Sequence, residues 1–258
     1  MKSSKYSAWL FFNWYGYLLG WAALAPMHRL FLNLSLHGLG YDNARHTGEE
    51  WFIKNILAKA DIQIAIDVGA NVGHYSKFLV KYLPAVVYAI EPSSSSFKEL
   101  ANAATKHQGK ILPINAAIAD KDGVGVLYSR HELSEKATLS PDLGDSSAIQ
   151  ESVQIKTLDS LVAELVLTRV DFIKIDTEGH ELEVFKGMQQ TLVQLKPKYI
   201  QFEFNHVHLY KGTSLFQLST LLADYQFYRL LPHGWMRIDP TKQSSNIYMF
   251  SNIIAKRK

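Results

Sequence analysis

The stretch that decides the fold is residues 64–75, with the sequence IAIDVGANVGHY. It starts as an apolar run typical of a buried strand, reaches Asp67, and passes through a turn of small residues into a helical pattern. Gly69 and Gly73 have no side chains, so a ligand can approach the main chain closely, and N–H groups at the start of the next helix point towards it. Asn71 stands where many such loops have another glycine, and Asn tolerates left-handed backbone well. The stretch predicts a nucleotide-like ligand at a strand–turn–helix junction.

A second strand supports this prediction. Residues 86–90 form an apolar run that ends in Glu91 and Pro92, roughly twenty residues after the first strand, as in nucleotide-binding sheets. An acid at the end of the second strand can accept hydrogen bonds from both ribose hydroxyls. We therefore predict that Glu91 binds ribose, with a solvated loop acid as the alternative.

The composition limits the class of protein. The 258 residues, 47% of them hydrophobic, are enough for one α/β domain and a modest extension. The net charge of only +3 argues against nucleic acid as a partner, which usually requires a concentrated basic patch. Cysteine is absent, which excludes disulfides and thiolate metal sites and fits a reducing compartment. We expect a cytoplasmic protein, with association at the inner face of the membrane as an open alternative.

The N-terminal part differs from the rest. We divide the chain into residues 1–45, a hydrophobic and aromatic-rich helical extension, and residues 46–258, the main domain. No charged residue lies between Lys5 and Arg29, but glycines and a proline interrupt the run, and its Trp and Tyr residues prefer a membrane interface to the hydrocarbon centre. Three interpretations stay open: packing on the domain or in a homodimer, peripheral membrane contact, and a transmembrane span.

The main domain alternates strands with helices. A helix is predicted for His46–Lys59, and five strands alternate with helices before a hairpin-like pair, Phe227–Leu231 and Asn246–Ile254. This alternation predicts a mainly parallel sheet covered on both faces. Residues 124–128 and 153–157 are predicted to pair, and the polar stretch 129–152 between them is either a substrate lid or a surface insertion.

Polar residues are concentrated at the ends of two later strands. The fourth strand ends in Lys174-Ile-Asp176-Thr-Glu178-Gly-His-Glu181, and the fifth carries Glu203 and Asn205. Lys174 and Asp176 share one face of their strand by side-chain alternation. Because a lysine in a buried strand needs a partner, we predict that Lys174 pairs with Glu203 or Asp176.

Four ordered motifs carry a family resemblance: DVGANVG at 67–73, Glu91-Pro92, TLDSL at 157–161 and IKIDTEGHE at 173–181. Over residues 46–252 the chain resembles the FkbM-type S-adenosylmethionine (SAM)-dependent methyltransferase family. The resemblance implies a class I methyltransferase (Rossmann-like) fold, an α/β fold whose seven-stranded sheet has six parallel strands, one antiparallel strand and helices on both faces. It also implies methylation of a hydroxyl group on a sugar, glycan or glycoconjugate. A natural-product O- or N-methyltransferase and a non-catalytic, membrane-associated scaffold stay as alternatives.

The resemblance also assigns cofactor residues. It implies that the 67–73 loop lines the methionine and ribose side of SAM, that Glu91 binds ribose, and that the end of the third strand holds adenine. The predicted cofactor residues are Asp67, Gly69, Asn71, Gly73, Glu91, Asn115 and Ala117.

The catalytic residues follow from the chemistry of methyl transfer. The enzyme must position an acceptor atom in line with the methyl carbon and remove a proton from it. We predict Asp176 or Glu178 for this task, with His206 as an alternative base. A divalent metal held by Asp176, Glu203 and Asn205 is an open but not favoured addition.

Overall fold

The computed structural model describes residues 2–41, 47–129, 139 and 149–258, except for the side chains of residues 2–8. The helices in these ranges are α1 (Lys2–Leu19), α2 (Ala25–Gly38), α3 (Glu49–Asn55), α4 (His74–Tyr82), α5 (Ser94–Ala104), α6 (Leu158–Glu164), α7 (Glu181–Lys186), α8 (Gln189–Gln194), α9 (His206–Tyr210) and α10 (Leu215–Thr220). The strands are β1 (Ile64–Val68), β2 (Val86–Ile90), β3 (Ile111–Ile114), β4 (Ala117–Ile118), β5 (Gly123–Ser129), β6 (Ile149–Lys156), β7 (Phe172–Ile175), β8 (Tyr199–Phe204), β9 (Tyr225–Leu231), β10 (Gly234–Ile238) and β11 (Ser251–Arg257).

The main sheet has the order β3-β2-β1-β7-β8-β11-β9-β10. Strands β3, β2, β1, β7 and β8 run parallel, and β11 is antiparallel to both β8 and β9. Because β11 is antiparallel to both of them, β8 and β9 run in the same direction, and β9 is the sixth parallel strand. These six strands and antiparallel β11 form the predicted class I methyltransferase sheet, which confirms the fold class. The sheet has an eighth strand, β10, that the sequence did not reveal; it is joined to β9 by a tight turn, and Trp235 stacks on Tyr228 at 4.5 Å between ring centroids.

Two predicted boundaries were wrong. The last strand is Ser251–Arg257 rather than Asn246–Ile254, because the Asn246 side chain holds a loop through hydrogen bonds to the carbonyls of Pro240 and Lys242. The helix predicted for His46–Lys59 occupies Glu49–Asn55 and is followed by a short 3-10 turn. Gly48 precedes it in a left-handed conformation, and His46 lies outside the described residues.

A smaller sheet lies beside the main one, in the order β4-β6-β5. Its β5 and β6 are antiparallel, which confirms a pair at this place, but the second strand is Ile149–Lys156 and not 153–157, so residues 149–152 of the predicted lid belong to β6. Residues 130–138 and 140–148 lie outside the described part of the chain, so the role of 129–152 as a substrate lid stays a prediction.

Apolar side chains cover both faces of the main sheet. Leu161, Phe185 and Leu218 of α6, α7 and α10 belong to one buried cluster, whereas Phe52 and Leu79 of α3 and α4 belong to another. Neighbouring strand residues join opposite clusters, as alternation along a strand requires. The helices therefore leave open the carboxyl ends of the parallel strands, where ligands of such sheets bind.

The N-terminal helix pair, α1 and α2, is different in character. Its described side chains are mostly exposed, and Leu36 is the buried exception among those in the two helices. Within the described residues, no helix combines the length and the apolar character needed to cross a membrane. The division at residues 45 and 46 falls within 42–46, outside the described residues, and stays a prediction.

Candidate active site

The loop after β1 lies directly against the end of β7. Gly69 has φ +80° and donates its N–H to the Ile90 carbonyl at 3.0 Å. A Cβ at this position would lie 1.8 Å from the carbonyl oxygen of Asp176. Only glycine fits this close approach, which explains why the first glycine of the motif is required.

Glu91 is tied to the same loop through main-chain donors. Its carboxylate accepts the N–H of Asn71 at 2.8 Å and that of Ser93 at 2.9 Å. Burial raises the pKa of Glu91 to about 7, although the two N–H groups lower it. The Asn115 amide donates to the Glu91 carbonyl at 2.8 Å and so fixes the end of β2.

A cavity of about 570 Å³ lies over these strand ends, and we call it the cofactor cavity. Four of the predicted cofactor residues line it: Gly69, Asn71, Glu91 and Ala117. The other three support it from outside the lining. Asp67 is buried and accepts the Ser76 hydroxyl at 2.6 Å, Gly73 precedes α4 with φ +78°, and Asn115 bonds the main chain.

The lining of the cofactor cavity fits SAM. Ala117, Ile118 and Leu127 form an apolar wall suited to adenine, and Glu91 offers a carboxylate for ribose. The buried Oδ1 atom of Asn71 has no hydrogen-bond partner among the described residues. A buried polar atom without a partner is costly, and a bound polar ligand would satisfy it.

A second, wider cavity of about 1810 Å³ opens beside the first. The two share Gly69, Asn71, Asp176 and Glu178 in their linings. Asp176 and Glu178, predicted as catalytic, therefore lie where the cavities meet, whereas His206 lines the wide cavity alone. The wide cavity is also lined by Glu49, Ala70, His74, Tyr75, Phe78, Lys174, Glu203, Asn205, Tyr248, Met249 and Phe250.

Lys174 holds Asp176 at this junction. Its ammonium lies 2.7 Å from Asp176 Oδ2 and 4.7 Å from the centroid of the Tyr75 ring. This confirms the predicted pair with Asp176, one of the two proposed partners. Burial lowers the pKa of Lys174, but the carboxylates of Asp176, Asp67 and Glu49 outweigh this and raise it above its usual value. Lys174 is therefore a permanent cation that orients Asp176.

The Glu203 carboxyl group has a raised pKa. Burial, together with the negative charges of Asp176 and Glu178, raises the pKa of Glu203 to about 9. A carboxyl group with this pKa is neutral at pH 7 and carries a proton that it can donate. The wide cavity thus presents a carboxyl group that can donate a hydrogen bond.

The open metal hypothesis does not fit the donor set. Asn205 caps α9, since its Oδ1 accepts the Val207 N–H at 2.9 Å and its amide nitrogen donates to Glu203. Within the described ranges, no group of three or more His, Cys, Asp and Glu residues could hold a metal ion. We assign no step of the reaction to a metal ion.

A buried network supports the loop after β7. The Glu181 carboxylate accepts the main-chain N–H of Thr177 at 3.0 Å and lies 2.9 Å from His208 Nε2. His208 Nδ1 in turn accepts the N–H of Asn205 at 3.3 Å. The network joins the two strand ends that carry the predicted catalytic residues.

Replacing Glu181 by Ala should destabilise the protein by about 3–5 kcal/mol, because it leaves a buried partner and main-chain donors without an acceptor. Burial raises the pKa of Glu181, but His208 and main-chain N–H groups outweigh this and lower it to about 2. The wild type should therefore lose this stabilisation as the pH falls from about 4.5 to 2, and the variant should show no such loss.

Urea unfolding at several pH values measures both effects. The matched control is Glu164→Ala, which removes an exposed ion pair with Lys156 and should cost at most about 1 kcal/mol. Equal losses of stability in the two variants would contradict the structural role of Glu181.

The raised pKa of Glu91 leads us to expect that cofactor binding depends on pH. If Glu91 binds ribose as predicted, a ribose hydroxyl would donate to its ionised carboxylate, and SAM affinity should fall as the pH drops below about 7, by up to about tenfold per pH unit. Glu91→Gln should weaken binding at high pH and flatten the pH profile. Calorimetric titration between about pH 5.5 and 8.5 tests this. Glu99→Gln, at an exposed acid of α5, should behave like the wild type.

Sequence reasoning missed Glu49, a half-buried acid at the start of α3. Its carboxylate accepts the Gln201 amide at 2.7 Å and the Thr47 hydroxyl at 3.0 Å. Burial raises its pKa, and Lys174 opposes this. The contact with Gln201 joins residues 152 positions apart, so no local pattern could have revealed it.

Comparison with known proteins decides the family. The profile of the methyltransferase FkbM domain matches residues 67–230 of the 258. The chain belongs to the FkbM methyltransferase family. As an FkbM methyltransferase with the class I sheet, it is a SAM-dependent methyltransferase.

Two curated relatives are similar to this FkbM methyltransferase. Hexuronic acid methyltransferase AglP of Haloferax volcanii is 28% identical over 180 residues, which are 69% of each chain. Methyltransferase 1 of Beauveria bassiana is 25% identical over 147 residues, which are 50% of this chain and 59% of that protein. Among solved structures, the O-methyltransferase from Bacillus cereus in complex with SAH covers 95% of this chain, with 11% identity and a TM-score of 0.47.

Proposed function

We propose that this FkbM methyltransferase transfers the methyl group of SAM to a hydroxyl group of a sugar, glycan or glycoconjugate. The observation that carries the proposal is the wide cavity, which meets the cofactor cavity at Asp176 and Glu178. An acceptor there would lie beside the methyl donor and within reach of carboxyl groups. Proximity of this kind is a large part of what an enzyme contributes to a two-substrate displacement.

Each residue near the junction of the two cavities has its own role in methyl transfer. SAM supplies an electrophilic methyl group on a sulfonium sulfur. The Asp176 carboxylate, oriented by Lys174, accepts the hydroxyl proton as the oxygen–carbon bond forms and the carbon–sulfur bond breaks. Neutral Glu203 can donate a hydrogen bond to a neighbouring hydroxyl of the acceptor. Glu178 is the second acceptor of hydrogen bonds at the junction. His206, which lines the wide cavity, is the alternative base.

Two features favour a sugar. The wide cavity combines hydrogen-bonding side chains with Phe78, Tyr248 and Phe250, a mixture suited to a ligand with polar edges and apolar faces. The relative AglP is described as a hexuronic acid methyltransferase. The Asp176 carboxylate at the junction supports O-methylation over N-methylation, since a hydroxyl group needs a base whereas a free amine is already nucleophilic.

The test is methyl transfer from isotopically labelled SAM to a panel of acceptors. The purified full chain is incubated with neutral sugars, hexuronic acids, polyhydroxylated natural products and amines, and the products are identified by mass spectrometry. Label in an O-methyl sugar is the expected result. Label only in amines or natural products would replace the proposal by the corresponding activity. Cofactor binding without turnover on any acceptor would favour the scaffold.

A further inference from the structure

The N-terminal helix pair exposes an unusual amount of apolar surface. Trp9, Phe12, Trp14, Tyr17 and Trp21 are all more than half exposed, and Tyr17 reaches 84%. On α2 the apolar exposure continues at Leu30, Phe31, Leu32 and Leu34. Contiguous apolar patches of more than a few hundred Å² are rare on soluble surfaces and mark an interaction site.

The exposure extends around the helices rather than along one side. Trp9, Leu10, Phe11 and Phe12 follow one another on α1, so their side chains point in directions all around the helix, and each is exposed. A protein partner normally covers one face of a helix. Aromatic side chains on several sides of a helix are better covered by the headgroup and acyl boundary of a bilayer, into which they insert, than by one protein groove.

The bend between the helices is stabilised by local contacts. His28 Nε2 lies 3.0 Å from the carbonyl oxygen of Leu19, and the ring of Tyr15 packs edge-on against His28 with 5.9 Å between centroids. Gly20, Trp21 and a short 3-10 helix, Ala22–Leu24, separate the two helices, and Pro26 lies in the first turn of α2. The pair is therefore a defined structural unit.

The charge of the unit identifies the partner. Residues 1–41 contain no Asp or Glu, and their charged side chains are Lys2, Lys5 and Arg29. Cations flanking a run of Trp, Tyr and Phe are the pattern of segments that lie in the headgroup region of anionic membranes. We propose that the N-terminal helix pair anchors the protein in the interface of an anionic lipid bilayer.

Vesicle binding by the full chain tests the proposal. Phosphatidylcholine vesicles with and without about 30 mol% phosphatidylglycerol are sedimented with the protein, and the bound fraction is measured. We expect binding that requires the anionic lipid and weakens in high salt. Lys2→Gln, Lys5→Gln and Arg29→Gln together should lower the partition coefficient by roughly 100-fold, about fivefold for each cation.

A matched pair of variants tests the apolar contribution. Trp9→Ser, Phe12→Ser and Trp14→Ser together should lower vesicle binding by about tenfold or more. The control carries Val124→Ser, Val193→Ser and Phe216→Ser, which remove exposed apolar side chains from the main domain, and it should bind like the wild type. Circular dichroism melting confirms that both variants are folded.

Fluorescence locates the contact. The five tryptophans include three in or beside the helix pair, and Trp51→Phe with Trp235→Phe removes the two of the main domain. Vesicles should then shift the remaining emission to shorter wavelength. The proposal is overturned if anionic vesicles neither bind the protein nor shift this emission. It is also overturned if sedimentation velocity shows that the same aromatic residues hold a homodimer that binds no vesicles.

Discussion

Replacing Asp176 by Asn is expected to slow methyl transfer by about a thousandfold while leaving SAM affinity little changed. Asn keeps the size of the side chain and can still accept a hydrogen bond from Lys174, which lies 2.7 Å away in the wild type. It cannot accept a proton from the attacking hydroxyl. Because proton acceptance takes place only in the transition state, the loss should appear in the rate constant kcat and not in cofactor binding.

Single-turnover kinetics with labelled SAM, together with calorimetric SAM titration, separate these two quantities. Asp224→Asn is the matched control, since it makes the same substitution at an exposed acid of the main domain. If Asp176→Asn retains wild-type turnover, the base lies elsewhere, and His206→Gln and Glu178→Gln identify which of the two it is. A large loss of SAM affinity in Asp176→Asn would instead assign Asp176 to the cofactor.

Replacing Gly69 by Ala is expected to abolish measurable SAM binding and to lower stability by about 3 kcal/mol or more. The left-handed conformation, with φ +80°, costs a residue with a Cβ about 1–2 kcal/mol. The added Cβ would also lie 1.8 Å from the main-chain carbonyl oxygen of Asp176. Main-chain atoms cannot rotate away, so β1 and β7 must separate at the cofactor cavity, at a cost typical of overpacking, about 1–3 kcal/mol.

Gly109→Ala separates these two contributions. Gly109 has φ +77°, almost the same as Gly69, but an added Cβ would meet no atom within 4 Å. Gly109→Ala should therefore lose only the conformational contribution and bind SAM normally. Urea unfolding and SAM titration of both variants provide the comparison. Equal destabilisation by the two substitutions would show that the close approach to Asp176 has no energetic consequence.

The motifs of the site could be predicted from the sequence because each depends on residues that are close together in the chain. A strand that ends in a glycine turn before a helix places its ligand at the carboxyl end of the sheet, and Gly69, Asn71 and Glu91 indeed line the cofactor cavity. Lys174 and Asp176 are two residues apart on one strand, so alternation alone brings them to the same face. Asp67 belongs to the same motif but lies beneath the loop, where its Oδ2 accepts the Ser76 hydroxyl. A motif identifies a loop geometry, but it does not separate the residues that contact the ligand from the residues that hold the loop in place.

Of the two features that sequence reasoning missed, one is a local hairpin and the other depends on a distant contact. Strand β10 is short and half-buried, and it forms because Trp235 stacks on Tyr228 of β9 across a tight turn. Glu49 enters the wide cavity because α3 packs on the sheet beside Gln201. Side chains that meet across more than a hundred residues leave no periodic signal in either segment.

The amino-acid sequence by itself determined the strand–helix alternation, the glycine turn for the cofactor and the Lys174–Asp176 pair, because propensity, side-chain alternation and turn chemistry act over a few residues. The tertiary structure alone decided that two cavities meet at Asp176 and Glu178, that half-buried Glu203 lies near other acids that raise its pKa, and that the helix pair stays uncovered. These outcomes depend on which surfaces face each other after folding, since burial and the distance between charges are set by the packing of elements far apart in the chain.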